Sequence, residues 1–161
     1  MKETGMMDMK RKMSVMGVGG KIAAVMVVYL VVAIALDIIY APVFRIADTH
    51  YAVTMAVGIT LAAVGFALNL AAALPMMKAH KEGRLAKAGL YRLFLSPMYV
   101  FQIFVTLPGI FLIINSWLAM GAVIPAYIAY RIFVREEYRY LEERFGTEYS
   151  DYRKTVLVRY I

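Results

Sequence analysis

The sequence predicts an all-α membrane protein, a polytopic bundle of about four transmembrane helices followed by a cytoplasmic C-terminal helix. The first observation is composition: 62% of the 161 residues are hydrophobic, whereas soluble domains are about 45–50% apolar. The second is four apolar stretches, each long enough for a hydrocarbon core that takes about 20 residues to cross. The third is that the basic residues fall between these stretches. Backbone groups in lipid must be bonded internally, so the spans are expected to be helices.

The four spans are predicted from hydropathy and from the polar residues that interrupt it. Asn115 and Ser116 separate the last two spans, which should therefore form a tight helical hairpin. We predict one membrane domain over residues 1–161. Its spans cover about residues 22–40, 51–77, 97–114 and 117–134, and residues 135–161 form the tail.

The tail turns polar after the fourth span but keeps a helical pattern. Leu141 and Phe145 are four residues apart, so the helix is predicted to continue past the membrane and to end at Gly146. The sequence also suggests headgroup-level positions for tail tyrosines, because tyrosine favours membrane interfaces. These tyrosines are Tyr138, Tyr149 and Tyr152.

The orientation follows from the lysines and arginines. All but two of the 18 lie before the first span, between the second and third, or after the fourth; the exceptions are Arg45 and Arg131. Cytoplasmic loops carry the excess of basic residues, so both termini are predicted to be cytoplasmic and the protein to reside in the cell (inner) membrane. Topology accounts for the net charge of +7, and no nucleic-acid partner is predicted. With no cysteine and two histidines in separate loops, no metal site is predicted.

Small and polar residues inside the spans predict how the helices pack. Gly58, Ala62 and Gly65 should let a neighbouring helix approach closely, and Asn69 should bond across helices. Bends are predicted at Pro108-Gly109 and at Pro125.

Three polar residues at the end of the fourth span share one helix face. Tyr127, Arg131 and Arg135 are spaced by four. Together they could clamp a carboxylate or a phosphate of a bound substrate. The alternative is that Arg131 simply extends toward the interface.

Two adjacent carboxylates begin the tail. Glu136 and Glu137 point about 100° apart on a helix, so they cannot form a symmetric acid–base pair. One of them could accept hydrogen bonds from a ligand; otherwise they form a solvated acidic start to the tail helix. At the start of the third span, Ser96 and Pro97 form an ordinary helix start that could also meet a polar ligand.

The same residues resemble a known family. The order Glu136-Glu137, Leu141, Phe145-Gly146, Tyr149 and Tyr152 closely resembles the C-terminal signature of the isoprenylcysteine carboxyl methyltransferase and phospholipid methyltransferase superfamily. The loop with Gly89, Tyr91, Arg92 and then Pro97-Met98-Tyr99 is similar to a second element of that superfamily. The resemblance covers about the last 75 residues.

The resemblance implies methyl transfer from S-adenosylmethionine to a hydrophobic or lipid-linked acceptor at the cytoplasmic membrane face. It also implies that Arg131 lies near the acceptor, as the candidate catalytic residue. The implied cofactor-binding residues are Tyr91, Ser96, Pro97, Tyr99, Glu136 and Glu137.

Two positions depart from the family pattern. Leu95-Ser96 stand where the family has Arg-His, and residues 156–159 read Val-Leu-Val-Arg in place of a Val-Pro-Arg segment. These departures motivate one alternative, a non-enzymatic relative that serves as a membrane scaffold or complex subunit. Another alternative is an NADPH-dependent membrane reductase, because such enzymes end in a similar tail. The acceptor atom and the oligomeric state stay open.

Overall fold

The computed structural model describes residues 17–40, 43–46 and 49–159, and within them the chain is helical, without strands. The predicted fold class is confirmed: four helices are long and apolar enough to cross a membrane. A short C-terminal helix follows them. The helices are α1 (Gly17–Tyr40), α2 (Tyr51–Lys81), α3 (Pro97–Ile114), α4 (Trp117–Phe145) and α5 (Thr147–Thr155).

The helices run further than the apolar stretches that predicted them. α1 begins at Gly17, α2 continues to Lys81, and α4 continues through the polar tail to Phe145. A helix satisfies its own backbone wherever it lies, so its hydrogen bonds need not stop where the lipid does. Gly146 ends α4 as predicted, with a φ of 52° that a side chain would rarely adopt.

The helices pack in two pairs, α2 against α3 and α1 against α4. Glycines bring the first pair close together. A Cβ atom at Gly109 would lie 2.5 Å from the backbone nitrogen of Ala62, and one at Gly58 would lie 2.8 Å from the carbonyl oxygen of Gly109. The predicted close approach at the small residues of α2 is therefore confirmed, because only a hydrogen atom fits between these backbones.

A polar contact also joins α2 and α3. The Asn69 amide donates to Thr106 Oγ1 at 3.1 Å and to Gln102 Oε1 at 3.3 Å, which confirms the predicted bond across helices. Gln102–Thr106 forms one π-helical turn just before Pro108. A proline has no N–H to donate to the preceding turn, and π-helical turns, though rare, occur mostly as single turns inside α-helices.

α4, the second helix of the hairpin, is also irregular, but its irregular turn lies before Pro125. α4 consists of Trp117–Met120 and Val123–Phe145, with a turn between them. Pro125 lies in the first turn of the longer segment, where its missing N–H costs little. Asn115 takes the left-handed conformation at the hairpin tip, and Ser116 Oγ accepts from Ala119 N at 2.9 Å.

The tail folds back onto the start of α3. The N–H of Val158 donates to the carbonyl of Leu93 at 2.8 Å, and the N–H of Leu95 donates to the carbonyl of Val158 at 3.3 Å. Tyr149 and Tyr152 on α5 are 1% and 7% exposed. Their rings are turned into an apolar cluster rather than outward. The headgroup-level position suggested for these tyrosines stays a prediction, because it concerns depth in the membrane.

Candidate functional site

A cavity of about 380 Å³ lies where the start of α3 meets the last turns of α4. The start of α1, the end of α2 and α5 complete its walls, so every helix contributes at this end of the bundle. We call this end of the bundle the basic end, because lysines and arginines concentrate there. The lining includes Tyr91, Ser96, Tyr99, Glu137, Tyr149 and Tyr152.

The most polar feature of the cavity is a tyrosine–glutamate contact. The Tyr99 hydroxyl donates to Glu137 Oε2 at 3.1 Å. Both side chains are half-buried, and in the described part of the chain no lysine or arginine pairs with Glu137. A carboxylate oxygen accepts more than one hydrogen bond, so Glu137 can still accept from a bound amine or hydroxyl.

A chain of hydroxyl groups forms a second contact between α3 and α4. Ser96 Oγ lies 3.0 Å from Tyr138 Oη, which lies 3.2 Å from Tyr130 Oη. Ser96 is buried, so its hydroxyl needs such a partner. The serine that departs from the family pattern is thus part of the contact that closes this wall.

Tyrosines from the tail and from the loop before α3 form another wall. The Tyr152 hydroxyl donates to the carbonyl oxygen of Tyr91 at 2.7 Å, and the Tyr149 and Tyr152 ring centroids are 6.3 Å apart. Burial raises the pKa of Tyr91, Tyr149 and Tyr152 well above the ordinary value, so these phenols stay neutral donors. The Tyr149 hydroxyl is buried without a hydrogen-bond partner among the described residues.

Basic side chains also line the cavity. His80 and Arg84 come from the region where α2 ends, and Arg144 from the last turn of α4. Arg144 donates to the Tyr140 hydroxyl at 3.0 Å, while Arg84 bonds to Glu82. The cavity therefore combines one carboxylate, several hydroxyls, basic groups and an apolar remainder.

The structure brings four of the six predicted cofactor-binding residues to the cavity: Tyr91, Ser96, Tyr99 and Glu137. Pro97 is fully buried at the first position of α3 but is not part of the lining. Glu136 points away, and its Oε2 lies 2.6 Å from Lys21 Nζ on α1. Successive helix positions differ by about 100°, so only one of the two adjacent glutamates can face the cavity.

The predicted substrate-binding residues lie outside the cavity lining. The Arg131 guanidinium sits 6.0 Å from the centre of the Tyr127 ring, as expected for two residues on one face. Tyr127 also packs against Phe104, with ring centroids 5.6 Å apart, and Arg135 is exposed. The structure leaves the roles of Tyr127, Arg131 and Arg135 as predictions.

Sequence reasoning missed several residues of the site. Tyr130 belongs to the hydroxyl chain beside the cavity. It is seven positions before Glu137, a spacing that places both on one helix face, so this signal was present. The contribution of α1, through Val18, Gly19 and Gly20, had no such signal. Nothing in an apolar span indicates which neighbour it packs against.

A comparison with protein families now adds to this geometry. A family model described as phospholipid methyltransferase matches residues 52–148, more than half of the chain. The chain belongs to the phospholipid methyltransferase family. The matched region contains α2, α3 and α4, and therefore both sides of the Tyr99–Glu137 contact.

Membership of the phospholipid methyltransferase family confirms the resemblance noted in the sequence. With its four apolar helices, the chain is an integral membrane protein. α1 lies outside the matched residues, although it lines the cavity. Comparisons with curated proteins and with solved structures gave no match.

Proposed function

We propose that the protein transfers a methyl group from S-adenosylmethionine to a lipid acceptor at the cytoplasmic membrane face. One observation carries the proposal: a chain of the phospholipid methyltransferase family forms a cavity in which Tyr99 and Glu137 meet. The cavity volume, about 380 Å³, falls in the range of about 300–1,000 Å³ found for small-molecule sites.

The side chains of the cavity suit the groups of this cofactor. Glu137 can accept hydrogen bonds from its amine or its ribose hydroxyls. Arg84 and Arg144 can face its carboxylate, because guanidinium groups suit planar anions. The tyrosines and apolar side chains suit its flat ring.

For methyl transfer, the protein mainly has to position the two reactants and exclude water. When bound, S-adenosylmethionine supplies a methyl group already activated on a sulfonium. The residues around the cavity would hold the two reactants in line and keep water away, which can supply much of the acceleration without a nucleophilic side chain. The mostly apolar lining, with Met76, Met98 and Leu141, supports that role.

The acceptor side is proposed to lie on the face formed by Tyr127, Arg131 and Arg135. Arg131 is six residues before Glu137, about 9 Å along α4. Its proposed catalytic role is to orient an anionic group of the acceptor, such as a lipid phosphate. The family's description as phospholipid methyltransferases supports a phospholipid as the acceptor class.

The proposed orientation places the basic end, and with it the cavity, on the cytoplasmic side of the cell membrane. Lys78, Lys81, Arg84, Lys87 and Arg92 lie in or beside the loop between α2 and α3. An excess of basic residues is typical of cytoplasmic loops. The methyl donor is water-soluble, so its cavity must open to an aqueous compartment.

Two measurements test the proposal on the full-length protein in detergent or nanodiscs. Calorimetric titration with S-adenosylhomocysteine should show saturable binding well below millimolar. Incubation with methyl-labelled S-adenosylmethionine and vesicles of phosphatidylethanolamine and phosphatidylglycerol should move label into the lipid fraction. Absence of binding at millimolar S-adenosylhomocysteine would overturn the proposal and favour the scaffold alternative.

A further inference from the structure

We infer that Tyr149 is a ligand-binding residue whose hydroxyl donates a hydrogen bond to the nucleoside end of the bound cofactor. The inference rests on the proposed function. It adds one contact, from the Tyr149 hydroxyl, and it places the nucleoside end of the cofactor against α5. Tyr149 lies just beyond the residues that the family model matches.

The first observation is an unsatisfied polar atom. Tyr149 is 1% exposed. In the described part of the chain, its hydroxyl is the only buried side-chain nitrogen or oxygen without a hydrogen-bond partner. A buried donor without an acceptor is unfavourable, and each such group in a native structure calls for an explanation. The explanation has to lie in something that the described chain does not supply.

The neighbouring tyrosines make the contrast clear. Tyr152, one turn further along α5, donates to the carbonyl of Tyr91 at 2.7 Å. Tyr138 bonds to both Ser96 and Tyr130. The fold therefore satisfies the hydroxyls of Tyr152 and Tyr138, and it leaves that of Tyr149 to a partner outside the described residues.

The second observation is position. Tyr149 lines the cavity, in the wall that the tail forms. Its cluster is apolar and aromatic and includes Leu85, Ala86 and Phe145. Such a wall suits a flat heteroaromatic ring, which offers ring nitrogens as acceptors.

The charged groups of the cavity suit the amino-acid end of the cofactor. Glu137 bonds to Tyr99 from α3, while Arg84 and Arg144 lie near the ends of α2 and α4. These groups suit the amine and carboxylate of the cofactor. The nucleoside ring is then left to the apolar wall with Tyr149.

The experiment compares Tyr149→Phe with the matched control Tyr152→Phe in the full-length protein in detergent. Each variant loses one hydroxyl from α5, but only Tyr152 loses a hydrogen bond within the protein. Thermal unfolding is measured without ligand, and affinities for S-adenosylhomocysteine and for adenosine are measured by calorimetry.

Without ligand, Tyr149→Phe should unfold at the wild-type temperature or above it, and Tyr152→Phe should unfold at a lower temperature. Tyr149→Phe should bind S-adenosylhomocysteine about 3- to 10-fold more weakly, the range expected for one neutral hydrogen bond. The affinity for adenosine should fall by the same factor, because the lost contact lies at the nucleoside end.

Three outcomes would overturn the inference. Wild-type affinity for S-adenosylhomocysteine in Tyr149→Phe would do so while leaving the proposed function intact. So would a loss of ligand-free stability equal to that of Tyr152→Phe, since the hydroxyl would then be satisfied within the protein. Unchanged adenosine binding beside weakened S-adenosylhomocysteine binding would refute the nucleoside-end assignment. Failure of the wild type itself to bind S-adenosylhomocysteine would instead refute the proposed function.

Discussion

The Tyr99 hydroxyl donates a hydrogen bond to the Glu137 carboxylate at 3.1 Å, which ties the first turns of α3 to the last turns of α4. The two residues come from separate sequence motifs, 38 positions apart. A contact between them means that the hairpin formed by α3 and α4 closes at its open end, around the cavity.

Glu137→Gln should weaken S-adenosylhomocysteine binding by about 10-fold or more, since hydrogen bonds to a charged group contribute about 1.5–3 kcal/mol. The fold should survive, because the amide oxygen of glutamine can still accept from Tyr99. Calorimetric titration measures the change. Glu136→Gln is the matched control: its ion pair with Lys21 is partly exposed and worth about 0–1 kcal/mol. A larger loss in Glu136→Gln than in Glu137→Gln would contradict the assignment.

Arg131→Ala should raise the KM for the lipid acceptor several-fold, because the proposed contact with the acceptor's anionic group is lost. Affinity for S-adenosylhomocysteine should stay within about twofold, since Arg131 does not line the cavity. Initial rates at varied lipid content measure the KM, and calorimetric titration measures the affinity for S-adenosylhomocysteine. Arg139→Ala, an exposed arginine on the same helix, is the control. Equal effects of the two variants would rule out a specific role for Arg131.

Gly109→Ala should destabilise the protein by about 1–3 kcal/mol, the usual cost of overpacking. The added methyl would lie 2.5 Å from the backbone nitrogen of Ala62, and backbone cannot move aside as a flexible side chain can. Unfolding in mixed detergent micelles measures the change. Gly20→Ala provides the comparison, because the added methyl would meet no atom of a packed neighbour within 4 Å among the described residues. If both variants unfold alike, α2 and α3 do not pack as closely as described.

Tyr138→Phe should cost about 1–3 kcal/mol of stability, since it leaves the buried Ser96 hydroxyl without its hydrogen bond to Tyr138. The same unfolding measurement applies. Tyr140→Phe removes a hydroxyl that bonds to Arg144 in a more exposed position, and its effect should stay within about 0.5 kcal/mol. Wild-type stability in Tyr138→Phe would show that the contact does not hold α3 against α4.

Much of the site was predictable where sequence motifs carry it. Tyr91, Ser96, Tyr99 and Glu137 were all selected from the sequence, and all line the cavity. The choice between Glu136 and Glu137 was not predictable. It depends on how α4 is rotated against α1 and α3, and adjacent residues of the same type carry no information about that rotation. The ion pair of Glu136 with Lys21 joins residues 115 positions apart.

The sequence alone determined that the chain forms four membrane helices, where three of them begin, and which end of the bundle is basic. Those properties depend on local hydropathy, on interrupting polar residues and on charge, which are read along the chain. Tertiary structure alone decided which glutamate faces the cavity and that α1 closes it. It also decided that the Tyr149 hydroxyl has no partner among the described residues. Each of these depends on the relative rotation and distance of packed helices, and lipid-facing side chains do not specify either.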